Sequence, residues 1–69
     1  MNMKKEEFER KVKDVLGRNA RKFVIVKLRN ATFYIDNYYI RGDKSEEVNF
    51  LWKNVIIGHC KFKSITDVY

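Results

Sequence analysis

The chain has 69 residues, a formal net charge of +6 and 45% apolar residues, with five Phe, four Tyr, one Trp and a single cysteine. A chain this short can build only one small core, so we expect one domain over residues 1–69. The single cysteine excludes an internal disulfide, and the longest apolar run, residues 23–26, is too short to cross a bilayer. We therefore expect a soluble cytoplasmic protein with no membrane association, and the surplus charge favours polyanionic partners such as nucleic acid.

The first predicted element is an N-terminal amphipathic helix within residues 1–17. Its apolar residues Phe8, Val12, Val15 and Leu16 recur at helical spacing and form one stripe. Gly17 is typical of the residue that terminates a helix. Residues 1–22 carry eight Lys/Arg against four Asp/Glu, so most of the surplus positive charge lies on this helix and the basic segment after it.

The rest of the chain predicts five short strands, over residues 23–29, 32–41, 48–52, 55–62 and 64–69. Lys53 and Asn54 form a short turn between the third and fourth strands. One helix followed by these strands predicts an α+β fold, in which residues 23–69 form a small, strongly bent five-stranded antiparallel sheet or partly open barrel of SH3-like size. A helix packed on an open sheet is the alternative.

The second predicted strand carries an unusual concentration of aromatic side chains, and its period-two alternation slips. A bulge or bend near Asp36 and Asn37 would restore the alternation. The core-facing residues are then Phe33, Ile35 and Ile40. The residues left to face a ligand or a partner are Tyr38, Tyr39 and Arg41.

The sequence offers little for catalysis or metal binding. The only histidine, His59, is adjacent to the only cysteine, Cys60, and neighbours in a strand point to opposite faces. No cysteine or histidine spacing is typical of a metal site, and no glycine-rich segment could hold a phosphate chain. We therefore predict a protein that is not an enzyme and has no metal or cofactor.

Residues 26–58 resemble the Sm-like family of RNA-binding ring proteins. The residues that match its first motif are Val26, Leu28, Asn30, Ala31, Tyr34, Asp36, Tyr38, Asp43, Val48 and Asn49, and those at its second motif are Ile56, Ile57 and Gly58. Ala31 and Asp36 replace two glycines of the family pattern, of which the second permits a sharp bend in the second strand. Ile57 replaces the arginine that clasps RNA.

The resemblance implies a fold, an assembly and a set of RNA contacts. Sm-like subunits pair their edge strands into closed rings, which here assigns the pairing edges to residues 55–62 and 64–69. It places Asp43, Asn49 and Gly58 where family members contact RNA bases, with Phe50 or Trp52 at the ring position between them. The alternative to this topology is an unrelated small barrel.

The leading functional hypothesis is a non-catalytic oligonucleotide binder, of RNA in the first instance, that acts as a homo-oligomer. Basic side chains would hold phosphates and exposed rings would stack on bases. The candidate contacts are Lys22, Lys27, Arg29 and Arg41 for phosphates, Tyr34, Tyr38 and Tyr39 for stacking, and Asp43 and Asn49 from the resemblance. One alternative is a small interaction module or inhibitor, of the kind that mobile elements encode, docking on a protein partner through an aromatic face. Another is sequestration of a nucleotide messenger.

Overall fold

The computed structural model describes residues 3–18, 22–41 and 46–69. Its elements in chain order are α1 (Lys5–Arg18), β1 (Val24–Leu28), β2 (Thr32–Ile35), β3 (Asn37–Arg41), β4 (Glu47–Trp52), β5 (Val55–Lys61), a 3₁₀ turn (Phe62–Ser64) and β6 (Ile65–Val68). The predicted α+β class is confirmed. The described residues form six strands where five were predicted, because the long second strand is interrupted at Asp36.

Helix α1 begins with acidic residues and ends with a basic one, as the helix dipole favours. It continues through Gly17 to Arg18, one residue beyond the predicted range, so the prediction that Gly17 terminates the helix is wrong. The side chain of Arg18 forms an ion pair with Asp14 one turn earlier, which supports this last turn. In the described part of the chain, α1 is neither long nor apolar enough to cross a membrane.

The strands form two antiparallel sheets, with strand orders β2–β1–β6 and β3–β4–β5. Within the described ranges, the strand pairing does not close these sheets into a barrel. The chain passes from one sheet to the other at the break between β2 and β3, where the backbone N–H of Asp36 donates to the carbonyl of Leu51 in β4 at 3.1 Å. The predicted bend near Asp36 is thus confirmed, and it turns one long strand into the shared corner of both sheets.

The core lies between the two sheets and is closed by α1. The Phe8 ring of the helix contacts the rings of Tyr38 and Phe62, at centroid distances of 5.1 and 5.4 Å. The ring of Phe33 lies 5.0 Å from that of Phe50. Full burial of one such side chain contributes about 1.5–3 kcal/mol. The buried residues are Met3, Phe8, Val12, Val24, Val26, Ile35, Val48, Phe50, Phe62, Ile65 and Val68.

The predicted core-facing residues of the bent strand are in the core. Ile35 is fully buried, and Phe33 and Ile40 pack against the buried cluster. The predicted turn between β4 and β5 is also confirmed, with positive φ angles of 51° at Lys53 and 68° at Asn54. The N–H of Lys53 donates to the carboxylate of Asp36 at 3.0 Å, so the turn is tied to the corner between the sheets.

Candidate nucleic-acid interface

The structure divides the sequence-predicted contact residues between the two sheets. One group lies on or beside β1 and β2: Lys22, Lys27, Arg29 and Tyr34. Another lies on β3 and β4: Tyr39, Arg41 and Asn49. Asp43 lies outside the described residues. The predicted contacts therefore do not form one continuous site, and each sheet has to be considered separately.

The outer face of the β2–β1–β6 sheet combines one exposed ring, one half-buried ring and a cation. Along β1 the buried residues alternate with Ile25 and Lys27, which therefore face outward. The register sets Tyr34 opposite Ile25, and the Tyr34 residue is 55% exposed. Its ring lies 5.8 Å from the ring of Phe23, which sequence reasoning did not select. We call the surface formed by Phe23, Ile25, Lys27 and Tyr34 the Tyr34 face.

Lys27 keeps its charge available on this face. Asp67 is opposite Lys27 in the β1–β6 register. However, the Asp67 Oδ1 atom already accepts the N–H of Val68 at 2.8 Å and lies 3.6 Å from the Nζ of Lys11. In the described part of the chain, Lys27 forms no ion pair. An exposed lysine that is in no such ion pair can neutralise a phosphate without first breaking one.

A cleft opens at the end of β1, where the β1–β2 turn lies beside the 3₁₀ turn. It has a volume of about 560 Å³. We call it the basic cleft, and the side chains considered below are those of Arg29, Asn30, Lys63, Ser64 and Thr66. Only Arg29 was a sequence-predicted contact. Lys63 was missed because its proximity depends on the pairing of β1 with β6, which no local pattern specifies.

The outer face of the β3–β4–β5 sheet has a different character. Strand register aligns Tyr39, Asn49 and His59 in one row across the three strands, and Tyr39 is 63% exposed. In the next row, the Nη1 of Arg41 lies 3.7 Å from the Oε1 of Glu47. This ion pair leaves Arg41 less suited than Lys27 to hold a phosphate, because a carboxylate already competes for it.

Tyr38 is not on either outer face. It is half-buried, and its ring packs edge-on against Phe8. Burial raises the pKa of the Tyr38 phenol, and the nearby Glu9 carboxylate, which accepts a hydrogen bond from it, raises it further. The expectation that Tyr38 faces a ligand together with Tyr39 is therefore wrong in geometry, since consecutive strand residues point to opposite faces.

The residues that match the Sm-like motifs also differ in exposure, and they do not share one surface. The bend lies at Asp36, where the family has a glycine. Phe50, one of the two residues at the ring position, is fully buried, whereas Trp52 is exposed. Gly58 lies beneath the Phe33 ring and is covered by it.

Comparison of the chain with protein-family models, with curated proteins and with solved structures gives no match.

The acidic, histidine and cysteine side chains of the described residues are dispersed over the fold. Among them, no group of three or more His, Cys, Asp or Glu residues is placed to hold a metal ion. Burial, with a smaller contribution from Glu47, raises the pKa of the half-buried Cys60 thiol to about 11. The thiol is therefore protonated at neutral pH and is a poor nucleophile. The two outer faces and the basic cleft present aromatic rings, amides and cations, which are groups suited to binding a ligand.

Proposed function

We propose that this protein binds single-stranded oligonucleotides, RNA in the first instance, without catalysing a reaction, and that the Tyr34 face is its main contact surface. The observation that carries the proposal is the exposed ring of Tyr34 beside Lys27, whose ammonium is in no ion pair among the described residues. The two are diagonal neighbours across β1 and β2, about 7–8 Å apart at their Cα atoms. One nucleotide can therefore stack its base on the ring while its phosphate meets the lysine.

The expected binding energies indicate that both the Tyr34 ring and the Lys27 ammonium contribute to binding. Stacking of a base on an aromatic side chain contributes about 1–3 kcal/mol. A phosphate contact adds a counterion-release term that depends on salt and not on sequence. The Phe23 ring extends the stacking surface next to Tyr34, and Lys22 and Arg29 lie at the two ends of β1. The face therefore suits a flexible single strand better than a rigid duplex.

The choice of RNA follows from the proposed Sm-like character of the fold. The features that support it are an N-terminal helix, antiparallel strands, and a sharp corner at the position where the family pattern has its second glycine. The hydrogen bond from Asp36 to Leu51 joins the two sheets at this corner. We propose on this basis that the sheets form a small, partly open barrel of the Sm-like kind.

We further propose that the functional form is a homo-oligomer joined through β5 and β6. Both are edge strands among the described residues, and they belong to different sheets. The β5 edge is unusually apolar, with Val55, Ile56 and Ile57 exposed by 61%, 59% and 42%. An apolar edge strand invites pairing with another strand. Pairing of β5 with the β6 of a second copy is heterologous, and repeated pairing closes into a ring when the rotation permits.

A second candidate function, docking on a partner protein, is favoured by the same β5 edge. Its exposed aliphatic side chains form an apolar patch, and the neighbouring Trp52 is of a residue type that contributes strongly at protein interfaces. The purified chain would then be a monomer that awaits its partner. The mass of the chain in solution distinguishes the two candidates.

The test of the proposed function is a fluorescence-anisotropy titration of a short single-stranded RNA at about 50 mM salt. Tyr34→Ala should weaken binding about tenfold, through the loss of one stacked base. Tyr39→Ala is the matched control, because it removes an equally exposed tyrosine from the other sheet, and it should change the affinity less than twofold. Lys27→Gln should reduce both the affinity and its salt dependence.

Two results would contradict the proposal. Absence of binding by the unaltered chain at low salt would exclude the oligonucleotide function. Equal effects of Tyr34→Ala and Tyr39→Ala would show that the Tyr34 face has no special role, even if binding itself is real. Circular dichroism of each variant excludes loss of the fold as the cause.

A further inference from the structure

The basic cleft exists because β1 and β6 are paired. Leu28 is opposite Ile65 in the register, so the residues that follow Leu28 lie beside the residues that precede Ile65. The register shifts by one residue between Lys27 and Leu28, so that Thr66 has no register partner on β1. Arg29 and Lys63, which are far apart in the sequence, consequently line the same cavity.

The polar groups of the cleft are mostly hydrogen-bond donors. Arg29 offers a guanidinium, Lys63 an ammonium, Asn30 an amide and Ser64 a hydroxyl. The hydroxyl of Thr66 donates to the carbonyl of Lys27 at 2.9 Å, so it can offer only lone pairs to a ligand. No carboxylate is among the residues that line the cleft, and neither cation forms an ion pair within the described residues. Such a surface selects an anion.

The charge and size of the cleft narrow the class of anion. Two cations match a dianion, and a phosphate monoester carries about 1.5–2 negative charges at neutral pH, whereas each phosphodiester within a strand carries one. The volume of about 560 Å³ is within the range of pockets that hold whole small molecules, roughly 300–1,000 Å³. It can therefore hold a phosphate together with the sugar or base attached to it.

We propose that the basic cleft binds the phosphate monoester of a nucleotide, and that on an oligonucleotide this group is the terminal phosphate of the strand. The inference rests on the proposed function, since it assigns the end of the bound strand to the cleft and its interior to the Tyr34 face. Lys27 belongs to that face, and its carbonyl is bonded to Thr66 in the cleft wall, so the two surfaces are adjacent. Arg29 and Lys63 are the residues that hold the phosphate.

The experiment compares RNA strands of identical sequence that carry a 5′-phosphate, a 3′-phosphate or hydroxyl groups at both ends. One of the phosphorylated strands should bind about tenfold more tightly than the hydroxyl form, as two charge-assisted contacts to one phosphate permit. Arg29→Gln and Lys63→Gln should each reduce this ratio towards one. Lys13→Gln is the matched control, because it removes one exposed positive charge from α1, and it should leave the ratio unchanged.

Two further measurements show whether the cleft also binds a free nucleotide and whether the proposed function holds without this inference. In the first, a nucleoside 5′-monophosphate and its parent nucleoside are each titrated in the absence of RNA. If the monophosphate binds, and this binding is lost in Arg29→Gln and Lys63→Gln, the cleft binds free nucleotides as well. If strands bind without any preference for an end phosphate, the inference is overturned while the proposed function survives. If no strand binds, the proposed function fails, and the inference then stands only if the monophosphate binds in the cleft.

Discussion

Among single residues, Gly58 is the one whose missing side chain makes room for the ring of Phe33. A Cβ atom at position 58 would lie 2.6 Å from Cε1 and 2.8 Å from Cζ of Phe33. The ring has little room to move away, because it packs on Phe50 at 5.0 Å on the core side. Gly58→Ala should therefore lower the free energy of unfolding by about 1–3 kcal/mol, measured by urea denaturation.

Gly17 provides the matched control for this substitution. It lies in the last turn of α1, and a Cβ atom there would meet nothing within 4 Å. Gly17→Ala should therefore stabilise the chain by about 0.5–1 kcal/mol, since alanine has the higher helix propensity. Equal effects of the two substitutions would show that the contact between Gly58 and Phe33 does not limit the packing.

The contrast between Tyr38 and Tyr39 shows what residue patterns could and could not predict. Phe33, Ile35 and Ile40 were placed in the core from alternation and a bend, and they are there. Because Ile40 faces inward, the same alternation places Tyr38 inward too. The Tyr38 ring packs against Phe8, and the carboxylate of Glu9 accepts a hydrogen bond from its hydroxyl.

Among the elements, the corner between β2 and β3 depends on the side chain of Asp36. The carboxylate of Asp36 accepts the N–H of Lys53 and so fixes the β4–β5 turn against the corner. Asp36→Ala removes this acceptor and should lower the free energy of unfolding by about 1 kcal/mol. Thermal and urea denaturation measure the loss.

Asp36→Asn is the control for the corner. The amide oxygen can still accept the N–H of Lys53, so this variant should retain most of the stability of the unaltered chain. A loss as large as that of Asp36→Ala would mean that the negative charge, and not the hydrogen bond, stabilises the corner.

Most of the helix and strand positions could be predicted from the sequence, whereas the contacts between residues of different elements could not. Helical spacing predicted α1, and period two predicted the strands to within one or two residues at their ends. The proximity of Arg29 to Lys63 and the ion pair of Lys11 with Asp67 both depend on which strands pair and in what register. Those long-range contacts are set by packing of the whole chain and leave no local signature.

At the scale of the whole molecule, the proposed oligomer predicts a specific sensitivity of the β5 edge. Ile56→Lys places a charge on the exposed edge and should convert the assembly to monomers, because a lysine on an edge strand opposes pairing. Tyr39→Lys makes the same change at a similarly exposed position on β3 and should leave the mass unchanged. Light scattering of the nuclease-treated protein measures both.

Two other results would contradict an assembly through β5. If the unaltered chain is already a monomer, the β5 edge is available for a partner protein and the second candidate function is favoured. If Tyr39→Lys dissociates the assembly and Ile56→Lys does not, the subunits associate through β3 instead of β5.

We propose that the chain holds a single strand by its phosphates as well as by its rings. The most direct test is the affinity for a single-stranded RNA measured from about 50 to 200 mM salt. With Lys22, Lys27, Arg29 and Lys63 as contacts, the logarithm of the association constant should fall with the logarithm of salt concentration with a slope of roughly −2 to −3. A slope near zero, or no binding at the lowest salt concentration, would contradict the claim.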